Sequence, residues 1–451
     1  MQDFIDRQFF NLTVFTLIFG VMFYDIIHLL GFSYVDEVCA VLLLMLFGYK
    51  ILHTKMWEFN KLFLTVLGIF IFYLIYSIVI RANSTVAILS DFIIQIKPYL
   101  AFFCVYAIHP NLTENQRKII RQLVLLCSLY VLFVGIAYHI ISYDVIKYTF
   151  GHESRLATAS SILALLYLYC SDYTKTDRMI FLLLLSLGIL SGRSKHFGFF
   201  AICLLVILYF NESFRMKLNL RNLAFIMIAI AAAMFVARGK IYYYFITGGF
   251  GDGRTPNDLY ARMALYYFAL QIITDYLPFG TGFATYATYT SGMYYSPVYA
   301  KYGMQNMHGL TKEAPTFIAD TYFPALAQFG IAGVLLFFTF WIHLVMKTIK
   351  AHHKCGKEST IAFVIIIFFM IECTSDATIT HNRGMFIMML LGLLFHDMQA
   401  KLSSTDNGEE SVSSGDGDRS VSSGNFPANG DNNDADVKKL LANNTNEGSF
   451  S

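Results

Sequence analysis

The chain has 451 residues, of which 56% are hydrophobic and only 14% charged, with a net charge of +2 and a mean hydropathy of +0.53. Soluble proteins carry roughly a quarter charged residues, so composition excludes a water-soluble globule, and no basic footprint for nucleic acid is present. Seven cysteines lie scattered, mostly inside apolar runs, without CxxC or Cys/His ligand spacing, which argues against disulfides and structural zinc.

Apolar runs of about 18–22 residues recur along the chain, each long enough to cross a hydrocarbon core. They are continuous rather than alternating, which excludes a β-barrel. The expected fold is an all-α polytopic membrane protein with about twelve transmembrane helices. The spans fall near residues 9–30, 34–52, 60–80, 88–108, 119–142, 155–171, 178–192, 195–210, 222–237, 320–346, 360–376 and 383–398. Residues 1–398 form the membrane domain. The N-terminus lacks the basic region and small-residue site of a cleavable signal peptide.

Lys and Arg alternate between loops in the manner that orients membrane proteins. With the N-terminus inside, the inner loops hold Lys50, Lys55 and Lys61; Arg117, Lys118 and Arg121; Lys175 and Arg178; Arg215, Lys217 and Arg221; and Lys347, Lys350, Lys354 and Lys357. Short outer loops are nearly free of them, and both termini fall on the cytoplasmic side. Two outer positions break the rule: Arg193 and Lys195 in Ser-Gly-Arg-Ser-Lys-His196, and Arg383 after His381-Asn382. Such residues either snorkel from helix ends or bind an anion.

Residues 238–320 make one large outer loop, the longest polar interval before the C-terminal tail. Thirteen of the 29 tyrosines lie in 238–319, with six Lys/Arg against four acids. Tyrosine suits both a sugar ring and a membrane-interface belt. Asn257 or Asp258 is placed to cap a short amphipathic helix running to about Asp275, with Arg262 in its first turn and its apolar face suited to the bilayer surface. Pro278-Phe-Gly280-Thr-Gly282 then reads as a tight glycine turn. Residues 402–451 carry nine acidic and three basic side chains, leaving +8 on residues 1–401. The Ser/Gly/Asn/Asp-rich tail, 399–451, is expected to be a disordered acidic cytoplasmic segment.

An arginine at a helix start, a Pro-x-Gly-x-Gly turn, and then Asp320-Thr-Tyr-Phe-Pro-Ala-Leu-Ala-Gln-Phe-Gly330-Ile-Ala-Gly333 opening a span resemble the O-antigen polymerase/O-antigen ligase superfamily. Gly192-Arg193-Ser194 and Lys97-Pro98 match further family features, and the resemblance covers roughly residues 90–345. One departure stands out. Ligases of this family carry a histidine about ten residues before the Gly-x-x-Gly; here Ala319 and Asp320 occupy that neighbourhood, and His308 lies too far upstream. This favours the polymerase branch.

The resemblance implies a glycosyltransferase-C-like, metal-independent enzyme of the bacterial cytoplasmic membrane, needing no cofactor. It would take a glycan linked to undecaprenyl diphosphate, with a membrane lipid, a chain-length regulator and a flippase as partners. Leaving-group diphosphate calls for fixed cations, and arginine offers bidentate geometry. Arg193, Arg254 and Arg262 are the candidates, with Lys195, Lys97 and Arg383 supporting. The attacking hydroxyl calls for a base: Asp320 first, with Glu313 and His308 as alternatives. Asp320 also suits the cap of the following span, His308 a solvated loop, and His196 a supporting place beside Lys195. Two other activities compete: a ligase on the same fold, and a transporter with no chemistry, for which intramembrane Lys97 and Glu372 would speak.

Overall fold

A computed structural model of the chain describes residues 1–29, 34–54, 61–209, 238–239, 242 and 259–413. Among these residues every regular element is helical, and six helical stretches are long and apolar enough to cross a membrane: Gln2–Met22, Lys61–Val79, Thr85–Ile108, Glu114–Ile140, Tyr322–Ala351 and Asn382–Ser403. The protein is an α-helical membrane protein. Five further expected spans coincide with shorter or more polar helices. The remaining one, 222–237, lies outside the described residues.

In chain order, α1 (Gln2–Phe15) runs into a π-helical turn, Thr16–Met22, and is followed by α2 (Tyr24–Leu29) and α3 (Val35–His53). Next come α4 (Lys61–Val79), α5 (Thr85–Ile108), α6 (Glu114–Ile140), α7 (Asp144–Thr149), α8 (Glu153–Cys170), α9 (Lys175–Ser186) and α10 (Ser194–Tyr209). The starts are written in the sequence. Ser84 Oγ accepts from Ala87 N at the head of α5, while Thr113 with Gln116 and Thr174 with Asp177 make reciprocal capping boxes for α6 and α9. α8, rich in Ala and Ser, is buried along almost its whole length, so neighbouring helices pack closely around it.

One end of the bundle gathers Lys50, Arg117, Lys357 and Lys401. Lys50 Nζ donates to Ile108 O at 3.0 Å, Lys401 Nζ to Glu358 at 2.7 Å, and Arg117 lies over the Tyr169 ring, whose hydroxyl donates to Asp397. The opposite end carries the loop and a second set of charges, described below.

The described part of the loop, from residue 259 onward, is a packed body. It contains α11 (Ala261–Asp275), α12 (Tyr289–Met293) and α13 (Pro297–Lys301) before α14 (Tyr322–Ala325) and α15 (Gly330–Ala351). Leu265, Phe268 and Ile272 of α11 pack with Tyr286, Tyr299, Met304 and Leu310 in a core of their own. Two sequence expectations change here. The apolar face of α11 packs on protein, and its cap position is Tyr260 with no side-chain cap, rather than Asn257 or Asp258. Several tyrosines are core residues: Tyr286 and Tyr299 are fully buried, with hydroxyls bonded to Leu265 O and to Ser291.

The glycine turn forms as expected, with φ of +75° at Gly280 and +85° at Gly282. It lies against Gln328–Ala332: Gly282 N donates to Gln328 O at 2.7 Å and Ala332 N to Pro278 O at 3.1 Å. A Cβ on Gly280 would stand 2.3 Å from Gly330 N, so this approach requires glycine. Tyr73 and Tyr76 of α4 complete the seam by donating to Phe329 O and Gly280 O.

α16 (Gly356–Glu372) and α17 (Asn382–Ser413) close the chain. The chain divides into a compact unit Met1–Ser403 and a second unit from Ser404. The residues from 399 to Ser413 are helical, although the tail was expected to be disordered from 399; 414–451 lie outside the described residues.

Candidate functional site

The site forms where α8 and α10 begin, α16 ends and α17 begins. Lys195, in the first turn of α10, points its ammonium at the end of α16: Nζ lies 2.6 Å from Glu372 Oε2 and 3.0 Å from Asp376 Oδ2. Ser154 Oγ donates to the same Asp376 oxygen at 2.7 Å, and Thr378 Oγ1 donates to Asp376 Oδ1 at 2.9 Å. Lys195 and Glu372 keep 13% and 6% side-chain exposure. Buried charges persist only when paired and hydrogen-bonded, and this cluster meets that condition.

Arg193 follows the turn that Gly192 makes at φ +66°. Its Nη2 lies 2.7 Å from Nε2 of His152 and 3.7 Å from Glu153 Oε2. Burial, followed by the field of Arg193, lowers the His152 pKa below the ordinary imidazole value.

Arg262 occupies the first turn of α11, as the sequence reading places it, and its Nη2 donates to the Asp320 carboxylate. Asp320 is not a helix cap: Thr321 holds the cap position of α14 and makes no side-chain cap bond. Burial raises the Asp320 pKa above the ordinary carboxylate value; Arg262 opposes this, and the nearby Asp376 reinforces it. One turn further along α11, Tyr266 donates to Thr374 O, and Phe323 N donates to Cys373 O. These two bonds seat the Arg262–Asp320 pair beside the Lys195 cluster.

The other candidates fall in different places. Arg383 is buried, with Nη2 donating to Asp25 Oδ2 at 2.8 Å and to Val21 O at 3.0 Å; Arg155 holds the other oxygen of Asp25. It is a clamp between α17 and the end of the first span. Lys97, 4% exposed, is paired with Asp36 and Glu37, so Lys97-Pro98 sits on its own counter-ions. His196 turns away from the site, bonding Leu185 O and filling the space above Gly188. Glu313 and His308 are exposed and join neither cluster. Arg254 lies outside the described residues.

Among the described candidate cations, Arg193 and Arg262 keep the most exposure, 30% and 25%, so they are the ones an approaching anion can reach. Sequence reasoning missed Asp376, Ser154, His152, Glu153 and Asp25. The available signal was the run of polar residues Cys-Thr-Ser-Asp376 at a span end, opposite an out-of-place lysine. The arrangement offers two reachable guanidiniums, a raised carboxyl bonded to one of them, and a buried ammonium held between two carboxylates. Such a set can bind a polyvalent anion and accept a proton beside it. No family model matches the chain, and no curated protein does.

Proposed function

We propose that the chain is a membrane glycosyltransferase that polymerises undecaprenyl-diphosphate-linked repeat units of an O-antigen or capsular polysaccharide. It works at the outer face of the bacterial cytoplasmic membrane. The observation that supports this best is the ion pair between Arg262 and Asp320. They come from the two separate segments on which the family resemblance rests, and they meet beside Arg193 and Lys195. On this reading twelve spans cross the membrane with both termini cytoplasmic, and the 238–320 loop is periplasmic on a glycosyltransferase-C-like body.

The chemistry follows from the charges. Arg262 and Arg193 hold the diphosphate of the donor, the first by exchanging Asp320 for phosphate oxygens. The acceptor sugar hydroxyl attacks the anomeric carbon of the donor. A new C–O glycosidic bond forms and the C–O bond to phosphate breaks, the electron pair leaving with undecaprenyl diphosphate. Asp320 takes the hydroxyl proton. Lys195, with Glu372 and Asp376, sets the field behind the two arginines without touching substrate. Ligation to a different acceptor would use the same groups and remains the second reading; the absence of the ligase histidine at Ala319 weighs against it.

The test is the glycan size ladder of a strain lacking this gene, complemented with wild type or Arg262→Ala. Single repeat units on the final or membrane lipid, not lengthened by Arg262→Ala, support polymerisation. Long glycan stranded on undecaprenyl diphosphate would make the chain a ligase. Repeat units trapped on the inner leaflet would make it a transporter and overturn the reading.

A further inference from the structure

We propose that the turn Leu277–Phe279 is a membrane-inserted tip, which carries the loop into the hydrocarbon between α4 and α15, where lipid acyl chains cover it. Leu277 is 62% exposed and Phe279 38%, with Pro278 exposed between them. Three consecutive apolar side chains on the surface are costly in water and favourable in lipid.

The neighbours on both sides identify the medium. Phe279 lies against Phe72 and Tyr76 of α4, with ring centroids 5.1 and 5.9 Å apart. α4 is the least enclosed of the six spans, 22% buried, and Phe72 and Ile75 stand on its outward face at 45% and 57% exposure. Val79 ends that helix seven residues after Phe72, about 10 Å further along its axis at 1.5 Å per residue, and the first charge beyond it is exposed Arg81. On the other side Ala332 N donates to Pro278 O at 3.1 Å, and Gly330, which meets Gly280, lies eight residues inside the apolar stretch Tyr322–Ala351. Leu335, on the next turn of α15, is 60% exposed. The tip thus meets both spans inside their apolar lengths and continues their lipid-facing surface.

The backbone suits such a place. Irregular chain persists in hydrocarbon only where its polar groups are bonded within the protein. Pro278 has no N–H to satisfy. Gly280 N donates to Tyr276 O at 2.8 Å, and Gly280 O accepts from Tyr76 Oη at 2.9 Å. Phe283 N donates to Ser77 Oγ at 2.8 Å. The polar boundary comes immediately before the tip. Lys301 Nζ lies over the rings of Tyr276 and Tyr302, 4.4 and 5.6 Å from their centroids, and Tyr302 Oη donates to Asp275 at 2.6 Å. Tyrosine with a basic neighbour is what the headgroup layer favours. Asp275 and Lys301 stay at that level while Leu277 and Phe279 reach past it.

The experiment uses the full chain in lipid vesicles, with one cysteine introduced and labelled with an environment-sensitive dye. Wild type, whose seven cysteines are buried, sets the background. Quenching by spin labels on acyl chains is compared with quenching by aqueous iodide. Ile75→Cys on α4 and Lys312→Cys on the exposed loop give the lipid and water references. Phe279→Cys and Leu277→Cys are expected to follow Ile75→Cys, quenched by the acyl-chain label, with iodide quenching lost and emission shifted to the blue. Leu277, the more exposed of the two, keeps the readout where truncating Phe279 disturbs the turn. Iodide quenching at both positions equal to that at Lys312→Cys overturns the proposal by placing the turn in water. Quenching by neither agent overturns it as well, because a protein partner or a second copy then covers the tip.

Discussion

Lys195 Nζ stands 2.6 Å from Glu372 Oε2, although 177 residues separate the two in the chain. The contact joins the start of α10 to the end of α16, and Asp376 completes it from the other side. Removing the lysine leaves two carboxylates facing each other with little water. Lys195→Met is expected to cost about 3–5 kcal/mol, the range for breaking a buried pair from one side. Lys195→Arg should recover part of that. Thermal unfolding in detergent, followed through tryptophan fluorescence, reads the difference; an unchanged midpoint for Lys195→Met would remove the cluster from the account of the fold.

Asp320 gives a pH dependence with a definite sign. Its carboxyl is raised by burial and held down by Arg262. On the proposed reading Asp320 is the base and must be ionised, so turnover falls as pH drops through its pKa, with the acid limb above the usual carboxylate range. Arg262→Gln removes the opposing charge, so the limb moves further up while the maximal rate falls. A pH–rate profile on membranes bearing either form measures this, and a limb that stays in place or moves down would dismiss Asp320 as the titrating group.

The meeting of Gly280 and Gly330 is equally testable. Each has positive φ, and a Cβ on either lies within 2.4 Å of the other's backbone nitrogen. Gly280→Ala and Gly330→Ala should each lose about 1–3 kcal/mol from backbone strain alone. Limited proteolysis of the 278–296 segment should quicken with each variant, whereas Gly48→Ala, with open space around it, should behave as wild type.

Asp91, fully buried on α5, holds the segment after the glycine turn: it accepts from Ala284 N at 2.8 Å and Thr290 Oγ1 at 2.7 Å. Asp91→Ala leaves the Ala284 N–H unpaired, at about 1–3 kcal/mol for a buried group, and leaves the Thr290 hydroxyl only Thr288 Oγ1 at 3.2 Å. Hydrogen exchange should rise at Ala284 and its neighbours before it rises in the helices. Equal rates in wild type and variant would show that the segment is held by packing instead.

Local features were legible in the sequence and distant pairings were not. Arg262 in a first turn, the end of its helix near Asp275 and the Pro278–Gly282 turn were readable because propensity and spacing act over a few residues. Glu372 was visible as an acid in an apolar run, but its partner Lys195 lies on another helix, and hydropathy does not say which helices touch. Asp25 and Asp36 were overlooked for the same reason: each neutralises a cation, Arg383 or Lys97, that alone looked available for phosphate. The tyrosines misled differently. Composition cannot separate a ring that lines a site from one, such as Tyr286, that fills a core.

The pairing of Arg262 with Asp320 has a consequence for idling on the proposed reading. While no donor is present, the guanidinium engages the Asp320 carboxyl, and water finds no unoccupied base beside the arginine. Arrival of a diphosphate draws Arg262 away and leaves Asp320 without the charge that held its proton affinity down. The base thus gains strength only when the substrate has arrived, a safety catch against wasteful hydrolysis of an activated sugar.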